Sequence, residues 1–158
     1  MASYSVLMVC TANICRSPMA AGLLMKALAR SGMSRSVRVD SAGTHALKGQ
    51  RPDARGQKVA RNMGAELKSM RARQFSQTDF EVHDLILCMD KKHHSALIER
   101  CPEQHKEKIA LIMDFATGLE EDEVPDPYYG NIAGFERVAG LLEAAIAGVA
   151  ERIRLELA

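Results

Sequence analysis

Tryptophan is absent from this 158-residue chain, and aromatic residues make up only 4% of it. Base-stacking platforms are built from such rings, so a nucleic-acid binder of that kind is disfavoured. An excess of one charge is also lacking: 21 basic against 20 acidic residues leave a formal net charge of +1. No long-range field would draw a phosphate backbone, and no nucleic-acid partner is expected. Long apolar runs are missing too. None approaches the roughly 20 residues that span a bilayer, so no membrane partner is expected. Residues 1–9 lack the basic start and long apolar segment of a secretory signal. The expected compartment is therefore cytoplasmic, where thiols stay reduced. Cysteine is sparse, with four residues (Cys10, Cys15, Cys88 and Cys101). In a reducing compartment these read as core filler, ligands or nucleophiles rather than structural disulfides. No His/Cys cluster has zinc-site spacing. His93 and His94 are adjacent and point about 100° apart on a helix, a poor ligand pair, so no metal is expected.

What is present is ordinary for a soluble globular protein: 47% hydrophobic and 26% charged residues. The length fits one domain, residues 1–158, around one core. Residues 4–9 form an apolar stretch suited to a buried strand. Ser17 and Pro18 then mark a helix N-terminus, with Ser17 as the cap and Gly32 as the stop. Residues 36–41 alternate as a second strand. Residues 43–53 are a Gly- and Pro-bearing loop, and 54–63 a helix stopped by Gly64. "DLILCM" (84–89) is a third strand, 91–100 a helix ended by Pro102, and "KIALIM" (108–113) a fourth strand. An acidic, Pro-rich loop spans 120–130. A long helix runs from 132 to about 155, with Phe135, Val138, Leu142 and Val149 on its apolar side. Strand–helix alternation predicts an α/β fold with a parallel sheet and helices on both faces. Ligands of such folds bind beyond the carboxyl ends of strands, where Cys10 stands.

The stretch "VLMVCTANICRSP" (6–18) joins the first strand to the first helix. Such a corner aims backbone N–H groups at one point, and the positive end of the helix dipole adds to them. Cys10 opens the loop and Arg16 closes it six residues later. The loop can curl so that the sulfur lies at the bottom of an N–H cup, while the guanidinium fork of Arg16 holds two oxygens of a bound oxyanion. The same field stabilises a thiolate at Cys10, positioned to attack the central atom of that oxyanion. The hydroxyl of Ser17 can donate to the sulfur. Set against this is a plainer possibility of a buried cysteine, an exposed arginine and a capping serine. The whole set in one corner favours the functional reading.

Attack on a phosphoester expels an oxyanion that needs a proton. Asp126 lies in "VPDPYYG" between Pro125 and Pro127, whose fixed φ stiffens the segment. Tyr128 and Tyr129 offer flat walls beside it. Glu120, Glu121, Asp122 and Glu123 are expected to be solvated.

Together "VCTANICRSPMA", "DSAGT", "MRARQF", "LILCMDKKH" and "VPDPYYG" resemble the low-molecular-weight protein tyrosine phosphatases, in the right order and over nearly the whole chain. The resemblance implies a Rossmann-like, four-stranded parallel sheet and hydrolysis of phosphotyrosine monoesters through a cysteinyl-phosphate. It implies Cys10 as nucleophile, Arg16 as phosphoryl clamp and Asp126 as general acid and then base. The phosphate loop would comprise Thr11, Ala12, Asn13, Ile14, Cys15, Arg16 and Ser17. Asn13 and Ser17 would support it, with Ser41 hydrogen-bonding Asn13. Cys15 would trap oxidised Cys10 as a reversible disulfide. No cofactor is implied. The implied partners are a phosphotyrosine protein, with a bacterial tyrosine kinase one candidate, and phosphate or another oxyanion in the site.

Three positions depart from the family pattern. Ala12 stands where glycine is usual and would strain the cup if that residue took positive φ. Met70 stands where a histidine often helps hold the loop asparagine, so Asn13 is expected to be held by Ser41 alone. Leu47 stands where many members carry an aromatic residue, which makes one cleft wall aliphatic. The main alternative is a thioredoxin-coupled arsenate reductase of the same fold. It would need Cys88 and Cys101 to relay a disulfide; Cys88 reads as core and Cys101 as exposed. A non-catalytic phosphate-binding module would need neither Cys10 nor Asp126.

Overall fold

A computed structural model describes residues 2–158. Strand β1 (Tyr4–Cys10) leads into helix α1 (Arg16–Arg30), then β2 (Val37–Gly43) and α2 (Ala54–Asn62). A short helix, α3 (Asp79–Val82), precedes β3 (Leu85–Cys88), α4 (Lys91–Arg100), β4 (Ile109–Leu111) and the long α5 (Ile132–Leu157). The sheet order is β2-β1-β3-β4, with every pairing parallel. The chain steps to one side of β1 for β2 and to the other for β3. That reversal opens a crevice at the carboxyl end of β1, where a doubly wound sheet places its ligand.

β1 is apolar from Val6 to Cys10 because both its faces are covered there. Val6, Met8 and Cys10 enter the larger core cluster with α1 and α5. Leu7 and Val9 point the other way, into a smaller cluster with Phe75, Phe80 and Leu97. Helices α1 and α2 both end as expected. Gly32 (φ 72°) and Gly64 (φ 85°) adopt the left-handed conformation. The amides of Met33 and Ala65 then reach back to the carbonyls of Leu28 and Ala60 at 2.8 and 2.9 Å, which closes a Schellman motif at each end.

Three sequence expectations change. Ser17 does not cap α1, because the helix already begins at Arg16. The orphan amides of the first turn thus belong to residues of the Cys10 corner itself. The fourth strand is shorter than 108–113: it stops at Leu111 and continues as a 3-10 turn, Ile112–Phe115. Its only strand partner among the described residues, β3, ends at Cys88, which pairs with Leu111, so the ladder has nothing further to bind. Cys101 is buried in the smaller cluster rather than exposed. Helix α3 and a 3-10 turn at Glu103–Lys108 are too short to show a periodicity.

Candidate active site at the carboxyl end of β1

Cys10 is the last residue of β1 and is only 2% exposed. Beyond it the loop carbonyls turn outward. Those of Cys10, Thr11 and Ile14 accept from the amides of Thr44, His45 and Asp53 at 2.8–2.9 Å. Across a trans peptide the next N–H points opposite to the carbonyl. The amides of Thr11, Ala12 and Cys15 therefore face inward, and no amide from Thr11 to Cys15 donates to a protein acceptor among the described residues. The free amides of the α1 first turn add to this cup. Close packing secures it from outside. A Cβ on Gly43 would run into the carbonyl oxygen of Thr11.

Asn13 is the single non-glycine residue at positive φ (60°) among the described residues, a conformation that asparagine tolerates. Ala12 is therefore not strained in place of glycine. The side chain of Asn13 is the hub of the loop. Its Oδ1 accepts from the backbone amide of Arg73 at 3.0 Å. That amide can only donate, which settles the orientation of the Asn13 side chain. Its Nδ2 then donates to Ser17 Oγ at 2.7 Å and Ser41 Oγ at 2.9 Å. Asn13 is thus held at three points, not by Ser41 alone. Met70 packs against the larger core cluster instead. Ser17 Oγ lies 3.0 Å from Cys10 Sγ. Because it already accepts from Asn13, its own proton is free to point at the sulfur.

Arg16 is only 4% exposed. Its Nη1 donates to Asp90 Oδ2 at 2.9 Å and to the Val124 carbonyl at 3.0 Å. Nε and Nη2 have no hydrogen-bond partner among the described residues, which leaves one edge of the fork for an anion. Asp90, which the sequence reading did not single out, joins three parts of the structure. It caps α4 by accepting from the His93 amide at 3.1 Å, anchors Arg16, and donates its own amide to His93 Nδ1 at 3.2 Å. Burial alone would push the Asp90 carboxyl up. The His93 amide and the Arg16 guanidinium outweigh it, and the carboxyl sits below the usual range. His93 Nε2 lies 2.8 Å from Thr11 Oγ1. Burial lowers the His93 pKa to about 4 despite the nearby Asp90 carboxylate, so its ring is neutral at neutral pH.

Asp126 reaches the mouth of the cup from the 120–130 loop. Its Oδ1 accepts from the Tyr128 amide at 3.0 Å, and its Oδ2 lies 4.0 Å from Arg16 Nη2. A cavity of about 240 Å³ lies between, with Cys10, Thr11, Ala12, Ile14, Cys15 and Arg16 below and Asp126, Tyr128 and Tyr129 above. The two tyrosine rings meet edge-on at 5.0 Å, and Tyr129 is 90% exposed. Leu47 does not line this cavity. It is 74% exposed on its loop, and Gln50 forms that wall instead. Asn13, Ser17 and Ser41 stand behind the cup rather than in it. The acidic residues remain at the surface but are not merely solvated. Glu123 accepts from the Lys91 amide at 2.8 Å, Asp122 pairs with Lys91 Nζ at 2.7 Å, and Glu121 lies 3.7 Å from Arg137.

Cys15 is buried in the cavity wall beside Cys10. Burial, with the Asp53 carboxylate nearby, pushes its thiol up to about 12. It therefore stays protonated at neutral pH. Cys88 and Cys101 lie in the smaller cluster, away from the cluster that holds Cys10 and Cys15. Among the described residues, no three His, Cys, Asp or Glu side chains gather as a metal site, and no helix is long and apolar enough to cross a membrane.

A doubly wound sheet with a cysteine under an amide cup, an arginine fork beside it and a carboxylate across the mouth defines a protein built to hold a tetrahedral oxyanion over a thiol. Comparison with known proteins narrows that class. Residues 5–158 match the family model of low molecular weight phosphotyrosine protein phosphatases, and the chain belongs to that family. It is 38% identical to the Escherichia coli low molecular weight protein-tyrosine-phosphatase Etp, over 94% of each protein. It is likewise 38% identical to the human low molecular weight phosphotyrosine protein phosphatase, over 87% of each. The crystal structure of a protein tyrosine phosphatase from Entamoeba histolytica, with Hepes in its active site, superposes with a TM-score of 0.92 at 37% identity, covering 99% of this chain and 100% of that one.

Proposed function

We propose that this chain is a cysteine-dependent protein tyrosine phosphatase that hydrolyses phosphotyrosine and small aryl phosphate monoesters. One observation carries the reading: Cys10 Sγ lies at the floor of the amide cup with a hydroxyl aimed at it, while Arg16 and Asp126 meet across the mouth. In the first step the Cys10 thiolate attacks phosphorus. The P–O bond to the aryl oxygen breaks, and protonated Asp126 donates its proton to the departing oxygen. The inward amides and the free edge of Arg16 hold the equatorial oxygens, where charge accumulates. In the second step the Asp126 carboxylate takes a proton from water. The water oxygen attacks phosphorus, and the S–P bond breaks to return the thiolate that Ser17 stabilises. No step requires a cofactor. Tyr128 and Tyr129 provide flat faces for an aromatic leaving group, with Gln50 at the opposite wall.

We further propose that Cys15 protects Cys10 in the reducing cytoplasm. Peroxide oxidises the thiolate to a sulfenic acid, and the Cys15 thiol condenses with it, forming the S–S bond and releasing water. Mass measurement after peroxide treatment is expected to show a loss of two hydrogens that links Cys10 to Cys15. A stable sulfinic acid at Cys10 would sink that role. A phosphotyrosine protein, with a bacterial tyrosine kinase one candidate, is the proposed substrate.

The arsenate-reductase alternative loses support because Cys88 and Cys101 sit in the other core cluster, where a disulfide relay from Cys10 would require the core to open. A paired assay separates the two. Para-nitrophenyl phosphate hydrolysis without arsenate reduction in the presence of thioredoxin is expected, and the reverse pattern would overturn the reading.

A further inference from the structure

We infer that Arg55 is a positioning residue that holds the Asp126 loop in register with the phosphate cup. This rests on the reading of Asp126 as general acid.

Pro125 and Pro127 stiffen the segment 125–130, but the side chains that face the cup are exposed. Val124 and Pro127 are buried, but Asp126, Tyr128 and Tyr129 are 47%, 44% and 90% exposed. Ordering the backbone costs conformational entropy, so an exposed turn is held in place by bonds from outside it. Among the described residues, hydrogen bonds from outside the segment reach it from Arg55 alone. Nη2 of Arg55 donates to the Tyr128 carbonyl at 3.0 Å, and Nη1 donates to the Gly130 carbonyl at 2.9 Å. Within the segment, the Tyr128 amide donates to Asp126 Oδ1 and the Gly130 amide to the Pro127 carbonyl. Arg55 therefore grips the turn whose internal bonds set the direction of the Asp126 carboxylate.

The other end of the strut is anchored in the cup. Asp53 receives Nε of Arg55 at 3.0 Å and Nη2 at 2.8 Å, a two-pronged pair. Asp53 also caps α2 through the Arg55 amide, and its own amide donates to the Ile14 carbonyl of the phosphate loop at 2.8 Å. The guanidinium carbon sits 4.5 Å from the Phe135 ring centroid, at the start of α5. A planar fork serves three acceptor groups at once. A lysine, with one compact ammonium, cannot reproduce that arrangement.

The test is leaving-group dependence in the intact protein. Dinitrophenolate leaves without a proton, whereas phenolate needs one. Arg55→Met is expected to lower kcat/KM for phenyl phosphate about tenfold, and for 2,4-dinitrophenyl phosphate by less than about twofold. Inhibition by inorganic phosphate should be unchanged, since the cup remains. Arg55→Lys should fall between wild type and Arg55→Met, and serves as the test variant if the methionine variant does not fold. In an Asp126→Ala background, adding Arg55→Met should cost nothing further, because the residue that it positions is gone. Equal loss on both esters, additional loss in that background, or no loss on phenyl phosphate would each overturn the inference. If Asp126→Ala itself shows no leaving-group dependence, the general-acid reading has failed, and the role of Arg55 falls with it.

Discussion

The two halves of this site are built in opposite ways. The cup from Cys10 to Ser17 is buried except at Thr11 and Ala12, and most groups on its outer side have a partner. Its carbonyls are bonded to the body of the protein, Asn13 is held at three points, and Arg16 is pinned by Asp90 and Val124. The Asp126 side chain is half exposed, and among the described residues the hydrogen bonds that reach segment 125–130 from outside come from Arg55. The difference follows from the chemistry. A cup that stabilises charge works best when its dipoles are already aimed, so that nothing reorganises during the reaction. The proposed general acid, which protonates one molecule and then activates another, must stay open to solvent and substrate.

Mutations should separate these two designs. The largest effect is expected at the cup. Cys10→Ser should lower turnover of an aryl phosphate by at least about 10⁴-fold while leaving phosphate binding intact, because the nucleophile goes but the amides remain. Retained turnover in that variant would remove Cys10 from the chemistry. Next comes the loop: Asp126→Ala should cost about 10²- to 10³-fold for phenyl phosphate and much less for a dinitrophenyl ester. The comparison breaks down if both esters are equally unaffected. The smaller loss at Arg55, read by the same pair of esters, tests whether one tether suffices for an exposed loop.

The smallest expected effect on chemistry, though not on stability, comes from Asn13→Ala. It leaves the Arg73 amide without its acceptor, takes the amide donor away from Ser17 and Ser41, and puts alanine at positive φ. A loss of about 2 kcal/mol is expected, read as a fall in Tm of about 4–8 °C. An unchanged Tm would mean that the cup is held by its backbone bonds alone.

Parts of this arrangement were legible in the sequence for identifiable reasons. The end of α4, the glycine stops of α1 and α2, and the burial of β1 all come from local signals: a proline beyond the helix, a residue free to take positive φ, an apolar run. Cys10, Arg16 and Asp126 were legible because their residue types fall at a corner and a stiffened loop where such chemistry can operate. The misreadings share a cause as well. Ser17 looked like a cap because serine before proline usually is one, yet its hydroxyl is turned to a sulfur seven residues back. Leu47 looked like a cleft wall, but Gln50, three residues on along the same loop, takes that place. Asn13 is held beyond Ser41 by the Ser17 hydroxyl and by the backbone amide of Arg73, a partner that carries no residue-type signal.

By itself, then, the sequence determined the order of the main elements, the faces they bury and the position of a cysteine at a strand end, because periodicity and turn signals act over a few residues. Only the tertiary structure decided what surrounds that thiol. Asp90 lies 74 residues from Arg16, Arg73 lies 60 from Asn13, and Arg55 lies 75 from Gly130. Partners so far apart in the chain meet only once the sheet has stacked its strands and brought their carboxyl ends to one edge.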